Sequence, residues 1–162
     1  MTSVPLLETP VVDLSPLHQG GFRVPRRATY YLVVHHAASH YRQATGPEDV
    51  AAIANWHIHG RGWSGVGYHE VCAEETNGGR IIAYVVSDPE LMRAHIALQN
   101  DVAFGICCAT DFRNTIPDQK WIDALADRLY THRRRWPGAR IVGHGEQARP
   151  GYETTCPGTR WP

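Results

Sequence analysis

Apolar and polar positions along the chain alternate between two periods, and the changes of period mark out the elements. Tyr30-Tyr31-Leu32-Val33-Val34 is a short aromatic and β-branched run, which predicts a buried strand ending at the pair His35-His36. After a polar stretch, Gly46-Pro47-Glu48-Asp49 places a proline and two acids at a helix start. Val50, Ile53, Ala54 and His57 then follow at helical spacing, predicting a helix from about Pro47 to His59. The four glycines between Gly60 and Gly67 predict a loop, leading into a strand from Tyr68 to about Ala73. Asn77-Gly78-Gly79 reads as a hairpin turn, returning the chain along a strand from Arg80 to Val86, so a meandering sheet is expected. The stretch from Asp88 to Asp101 shows no clear period, and Val102 to Thr110 reads as another buried strand. From Pro117, the positions Trp121, Leu125, Leu129, His132 and Trp136 keep one face apolar through a long helix stopped by Pro137-Gly138. Ala139 to Gly143 is a last short strand that delivers His144 at its end. Residues 1–28, rich in proline, glycine and mixed polar types, read as an extended arm lying over a regular domain that runs from Thr29 to Pro162.

Composition sharpens this to one α/β domain. At 162 residues and 43% hydrophobic content, the chain buries a single core without disulfide or metal staples. Sixteen basic residues balance sixteen acidic ones, so no overall field holds the protein on a polyanion, and nucleic acid is not an expected partner. The triple Arg133-Arg134-Arg135 falls near a helix C-terminus, where the macrodipole favours cations anyway. Cys107 and Cys108 are adjacent in an apolar run, which predicts buried reduced thiols there and at Cys72. The N-terminus shows no basic start followed by an apolar stretch, and nowhere do 18 apolar residues run together. The expectation is a monomer made in the cytoplasm without a signal peptide and without stable membrane insertion.

Three residues stand where metal chemistry wants them: His35 and His144 at strand ends, and Cys156 in a loop rich in proline and glycine. A catalytic zinc takes three protein ligands and keeps one position open, and a mixed nitrogen and sulfur set suits its borderline softness. Spacing alone leaves the ordinary alternative in place, because a strand-end histidine is more often a structural hydrogen-bonder and the chain has ten histidines.

Four runs carry a family resemblance: Val33-Val34-His35-His36-Ala37-Ala38-Ser39, Gly62-Trp63-Ser64-Gly65-Val66-Gly67-Tyr68-His69, Val142-Gly143-His144-Gly145-Glu146 and Thr154-Thr155-Cys156-Pro157-Gly158. In this order and at these separations, they resemble the type 2 N-acetylmuramoyl-L-alanine amidases, a family that includes phage lysozyme-amidases, muropeptide-recycling amidases and peptidoglycan recognition proteins. The resemblance implies a central mixed β-sheet flanked by helices and one Zn2+ per chain held by His35, His144 and Cys156. It implies hydrolysis of the lactyl-L-alanine amide of peptidoglycan, with Tyr68 placed to hydrogen-bond the attacking water or the developing oxyanion. Thr154 stands where phage and recycling enzymes generally carry lysine, so a hydroxyl replaces a positive charge beside the reacting group. Glu146 is implied as an orienter of a ligand histidine, and Trp63, His95 and Asn100 as substrate-binding residues lining a glycopeptide groove. His36 and His69 each follow a site residue, and strand alternation turns them away from the metal. The resemblance points to a phage or prophage endolysin that reaches the wall once the membrane is breached. The alternatives are a cytosolic enzyme recycling soluble muropeptides and a module that binds peptidoglycan without cutting it.

Overall fold

Alternation along the strands divides the core into two layers, and the same alternation decides which histidines face the site. The computed structural model describes residues 8–17, 23–38, 46–75 and 79–161. Among these, six strands form one sheet: β1 (Val11–Asp13), β2 (Tyr31–His36), β3 (Glu70–Glu74), β4 (Ile81–Val85), β5 (Ala103–Cys108) and β6 (Arg140–Gly143). Their spatial order is β1-β4-β3-β5-β2-β6. The helices are α1 (Pro47–Asn55), α2 (Gln119–Arg135) and the single turn α3 (His144–Gln147), making a mixed sheet flanked by helices.

The expected meander survives only as the antiparallel β3–β4 hairpin, closed by Glu75 N–H on Arg80 O at 2.9 Å. Asn77 and Gly78 of its turn lie outside the described residues, as does Ser39 of the first motif. The other neighbouring pairs are parallel. Central strands covered on both faces tolerate long crossover connections and lose the in-out polarity of a meander, and β2 and β5 are buried along nearly their whole length for that reason. On one face Leu32, Val34, Cys72, Phe104 and Ile106 pack against Trp121, Leu125 and Leu129 of α2. On the other, Val71, Ala73, Ile82, Tyr84 and Cys107 pack against Val50 and Ile53 of α1. Cys72, Cys107 and Cys108 are buried free thiols.

α1 opens with Pro47, Glu48 and Asp49, whose shape and charge suit a helix N-terminus. It ends four residues before His59 because the chain widens into a π turn over Trp56–Gly60, closed by Arg61 N–H on Trp56 O at 3.0 Å. α2 is capped by Asp118, whose carboxylate accepts Trp121 N–H at 3.4 Å. Its buried face carries Arg128 and His132, which reach Glu70 at the start of β3. Inside the segment expected as an arm, Val11–Asp13 adds a parallel edge strand along β4. From 88 to 101 the chain forms turns pinned by Asn100, whose Oδ1 accepts His95 N–H at 3.0 Å and Ile96 N–H at 2.9 Å.

Candidate metal centre

Strand register brings the first two candidate ligands together. β2 and β6 pair in parallel with Val34 opposite Gly143, so the next residues, His35 and His144, leave the sheet side by side with ring centroids 4.6 Å apart. Cys156 arrives on a loop drawn onto the start of α3. Gly145 N–H donates to Cys156 O at 2.6 Å, and a Cβ at position 145 would lie 2.4 Å from Thr154 O, so only glycine admits the loop this closely. The Cys156 Sγ lies 3.8 Å from His35 Nδ1 and accepts His36 N–H at 3.4 Å. One ligand atom from each of His35, His144 and Cys156 lies within 4.8 Å of the others. Two imidazole nitrogens and a sulfur form a donor set suited to a borderline divalent cation.

Hydrogen bonding fixes which nitrogen of His35 is available. His95 Nε2 lies 3.3 Å from Ala103 O, which can only accept, so Nε2 carries the hydrogen. Burial holds His95 neutral, its pKa down to about 3, and its Nδ1 is therefore an acceptor. His35 Nε2 lies 3.0 Å from that Nδ1 and donates to it, leaving the His35 Nδ1 lone pair facing Cys156. Burial, then the neighbouring His95 and His144, holds His35 neutral as well, while burial raises the Cys156 thiol to about 11. His95 thus stands behind His35 with both ring nitrogens committed, and it also lines the cavity.

The remaining expected residues divide between the site and its frame. The Tyr68 ring packs 5.1 Å from His35, and burial, then Cys107 and Cys156, pushes its phenol well above the usual tyrosine value, so it keeps its proton. Thr154 Oγ1 accepts Cys156 N–H at 3.1 Å, shaping the loop that carries the thiol. Glu146 Oε2 accepts Gly143 N–H at 2.8 Å, so it anchors the backbone before His144 and not the imidazole as expected. Trp63 lines a cavity of about 280 Å³ together with Tyr68, His95 and His144. Asn100, its carbonyl spent on the backbone, borders a neighbouring pocket of about 140 Å³ beside Trp63. His36 accepts Phe112 N–H at 2.9 Å and His69 accepts Gly105 N–H at 2.9 Å, both away from the donor cluster.

Among the further residues that line the cavity, three carry polar or aromatic chemistry and were not expected at the site: His57, Trp56 and Arg61. His57 Nδ1 accepts Gly67 N–H at 3.1 Å, and burial, then Arg61, brings its pKa to about 4, so a neutral ring keeps an Nε2–H. Its ring lies 4.6 Å from Trp63 and 5.4 Å from Tyr68. The signal was the density of aromatic, imidazole and guanidinium groups between Trp56 and Trp63, hidden by reading His57 as one more position on a helix face.

A donor cluster at the carboxyl ends of parallel strands, open to a cleft, defines an α/β protein with a candidate metal centre. The family model described as N-acetylmuramoyl-L-alanine amidase matches residues 25–159, and the chain belongs to that family. Among solved structures, it is similar to the Ph2119 endolysin from the Thermus scotoductus MAT2119 bacteriophage Ph2119, at 25% identity and a TM-score of 0.74 over 91% of each chain. It is similar to the N-acetylmuramoyl-L-alanine amidase LysC from Clostridium intestinale URNW, at 21% identity and a TM-score of 0.69 over 94% of this chain and 91% of that one. It also shares its fold with Drosophila PGRP-LB, at 22% identity and a TM-score of 0.74 over 94% of this chain and 89% of the other. No curated protein matches the sequence.

Proposed function

We propose that the protein is a zinc-dependent N-acetylmuramoyl-L-alanine amidase that hydrolyses the bond between the lactyl group of muramic acid and L-alanine, acting as an endolysin at the wall after the membrane is breached. One observation carries the reading: the donor atoms of His35, His144 and Cys156 lie within 4.8 Å of one another beside a cavity that Tyr68 also lines. Zinc bound there supplies Lewis acidity, acidifying water and polarising the amide carbonyl. His35 offers Nδ1 because its single ring hydrogen, on Nε2, is donated to His95 Nδ1. Tyr68, a protonated phenol, donates to the oxygen on which charge develops. Thr154 holds the Cys156 backbone and keeps its own hydroxyl hydrogen for donation. The phage endolysin among the similar structures supports a lytic setting.

The test is product analysis on intact sacculi and on soluble muropeptides. Amidase action frees the amino group of alanine, and faster cleavage of sacculi marks a lytic enzyme over a recycling one. Cys156→Ala is expected to stay folded while losing zinc and cleavage. Tyr68→Phe is expected to keep zinc and melting temperature and to turn over roughly a hundredfold more slowly. Binding to sacculi without release of alanine amino groups by the zinc-loaded parent would replace this reading with that of a recognition module.

A further inference from the structure

Leu98 is out of place on two counts. Its side chain is 73% exposed, and its φ of 65° is a left-handed conformation that disfavours any residue carrying a Cβ. Such an outlier persists only where its surroundings enforce it. Here the chain is tied on both sides: Asn100 Oδ1 accepts His95 and Ile96 N–H, Gln99 N–H reaches Ile96 O at 3.2 Å, and Val102 N–H reaches Gln99 O at 3.1 Å. The next side chain after this reversal, Gln99, is only 2% exposed.

Gln99 spends both ends of its amide on one partner. Its Nε2 donates to Gln147 O at 2.8 Å, and its Oε1 accepts Gln147 Nε2 at 2.8 Å. Gln147 is the last residue of α3, and the candidate ligand His144 is the first. A helix of one turn has little stability of its own, and its last carbonyls lack partners within it. Contacts from outside therefore place α3: Glu146 returns to Gly143 N–H, Cys156 O accepts Gly145 N–H, and Gln99 holds the far end. His95, on the same tied segment as Gln99, takes the His35 Nε2 hydrogen bond. The amide pair thus joins the segment that orients one donor to the helix that carries another, 48 positions away in sequence.

We propose that Gln99 and Gln147 form a clasp that positions His144 against His35, making Gln99 a positioning residue of the metal centre. The inference rests on the zinc reading for the identity of the metal, but the placement of α3 is measurable without it. Gln99→Met keeps the length of the buried side chain and removes both hydrogen bonds. It is expected to weaken zinc about tenfold in competition with a chromogenic chelator, the lower end of the usual cost of losing a ligand's supporting partner. Hydrogen exchange of Gly143 and Gly145 N–H, followed with and without zinc, is expected to quicken as α3 loosens. Gln147→Ala leaves its carbonyl for Gln99 Nε2 and is expected to show a smaller loss, and the double variant to be no worse than Gln99→Met alone. Parent-like zinc affinity or parent-like exchange in Gln99→Met, with or without a lower melting temperature, overturns the clasp, as do losses that multiply in the double variant. A parent that binds no zinc, with exchange still quickened by Gln99→Met, leaves the clasp standing and removes the zinc reading; a zinc-binding parent that Gln99→Met matches does the reverse.

Discussion

Two buried polar clusters lie against the same sheet, and they spend their hydrogen bonds differently. At the start of β3, the Glu70 carboxylate accepts Arg128 Nε and Nη2 at 3.1 and 2.9 Å and His132 Nε2 at 2.7 Å. Three donors there point at one carboxylate, and α2 is fastened to the sheet. At the ends of β2 and β6 the order is open: Ala103 O takes the His95 hydrogen, His95 takes the His35 hydrogen, and the last lone pair meets only the other donors of its own cluster. A closed cluster contributes stability and nothing else. An open one keeps unspent donor capacity, which is what a metal or substrate needs, and neutral groups make that affordable because no buried charge is left unpaired.

The sharpest way to break the comparison is Glu70→Gln, which leaves the Arg128 cation buried without its counter-charge. The expected cost is about 3–5 kcal/mol, or roughly 10 °C in melting temperature for a domain of this size, with zinc affinity unchanged. Acid titration separates the clusters further. Burial pushes Glu70 up, but the His132 and Arg128 hydrogen bonds outweigh it and hold the carboxyl below the usual value. Its contribution is therefore complete above the unfolded-state value of about 4.3 and is lost as pH falls through the lower folded one. His69, held neutral chiefly by burial, has its folded pKa depressed, and the unfolded chain takes up that proton below about 6.5. Stability of the parent should thus decline in two stages on acidification, and Glu70→Gln should shrink only the lower one, leaving there the share of other depressed carboxylates such as Asp111. A lower stage left undiminished in the variant would show that Glu70 is not the group that titrates.

These clusters were unequally visible in the sequence. His35, His144 and Cys156 stood out as candidates because strand ends and a loop rich in proline and glycine are local features; the resemblance of the runs that hold them set them apart from the other histidines, and the pairing of β2 with β6 brings the two histidines together. Glu70, Arg128 and His132 did not stand out, since an acid in a strand and a basic residue 58 positions later carry no mark of being partners. β1 was missed because two exposed valines and an aspartate lack any period, and the parallel order was missed because hairpin signals describe only neighbours in sequence. His95 fell in the stretch from 88 to 101, where turns pinned by Asn100 leave no pattern to read.

The role of His95 in turn offers a finer test of the open cluster. If it sets the tautomer and aim of His35, His95→Leu should weaken zinc binding by about 10–100-fold in competition with a chromogenic chelator, the usual cost of losing a ligand's supporting partner. Asn at this position carries an oxygen near where Nδ1 was, so His95→Asn should recover part of the affinity while His95→Leu does not. Equal affinity in the parent and the leucine variant would reduce His95 to packing.

The smallest expected effect belongs to Thr154, whose hydroxyl serves two tasks in the proposed reaction. Its oxygen accepts Cys156 N–H at 3.1 Å, so it holds the peptide that presents the thiol, and under the proposed function its hydroxyl hydrogen would serve a substrate oxygen. An exposed-to-half-buried hydrogen bond of this kind is worth about 1 kcal/mol, which converts to roughly fivefold in an equilibrium constant. Thr154→Ala should therefore loosen zinc about fivefold through the slackened Cys156 loop and, measured per zinc-loaded molecule, should also slow turnover through the missing donor. Thr154→Ser keeps both atoms and should restore both quantities. Thr154→Lys brings a charge but no acceptor for Cys156 N–H, so it should not restore zinc affinity, whatever its charge does at the reacting oxygen. If alanine lowers turnover with zinc affinity intact, the hydroxyl acts only on substrate. If it lowers affinity alone, Thr154 belongs with Glu146 among the residues that hold ligand backbones in place, and Tyr68 becomes the one side-chain donor left to act on the oxyanion.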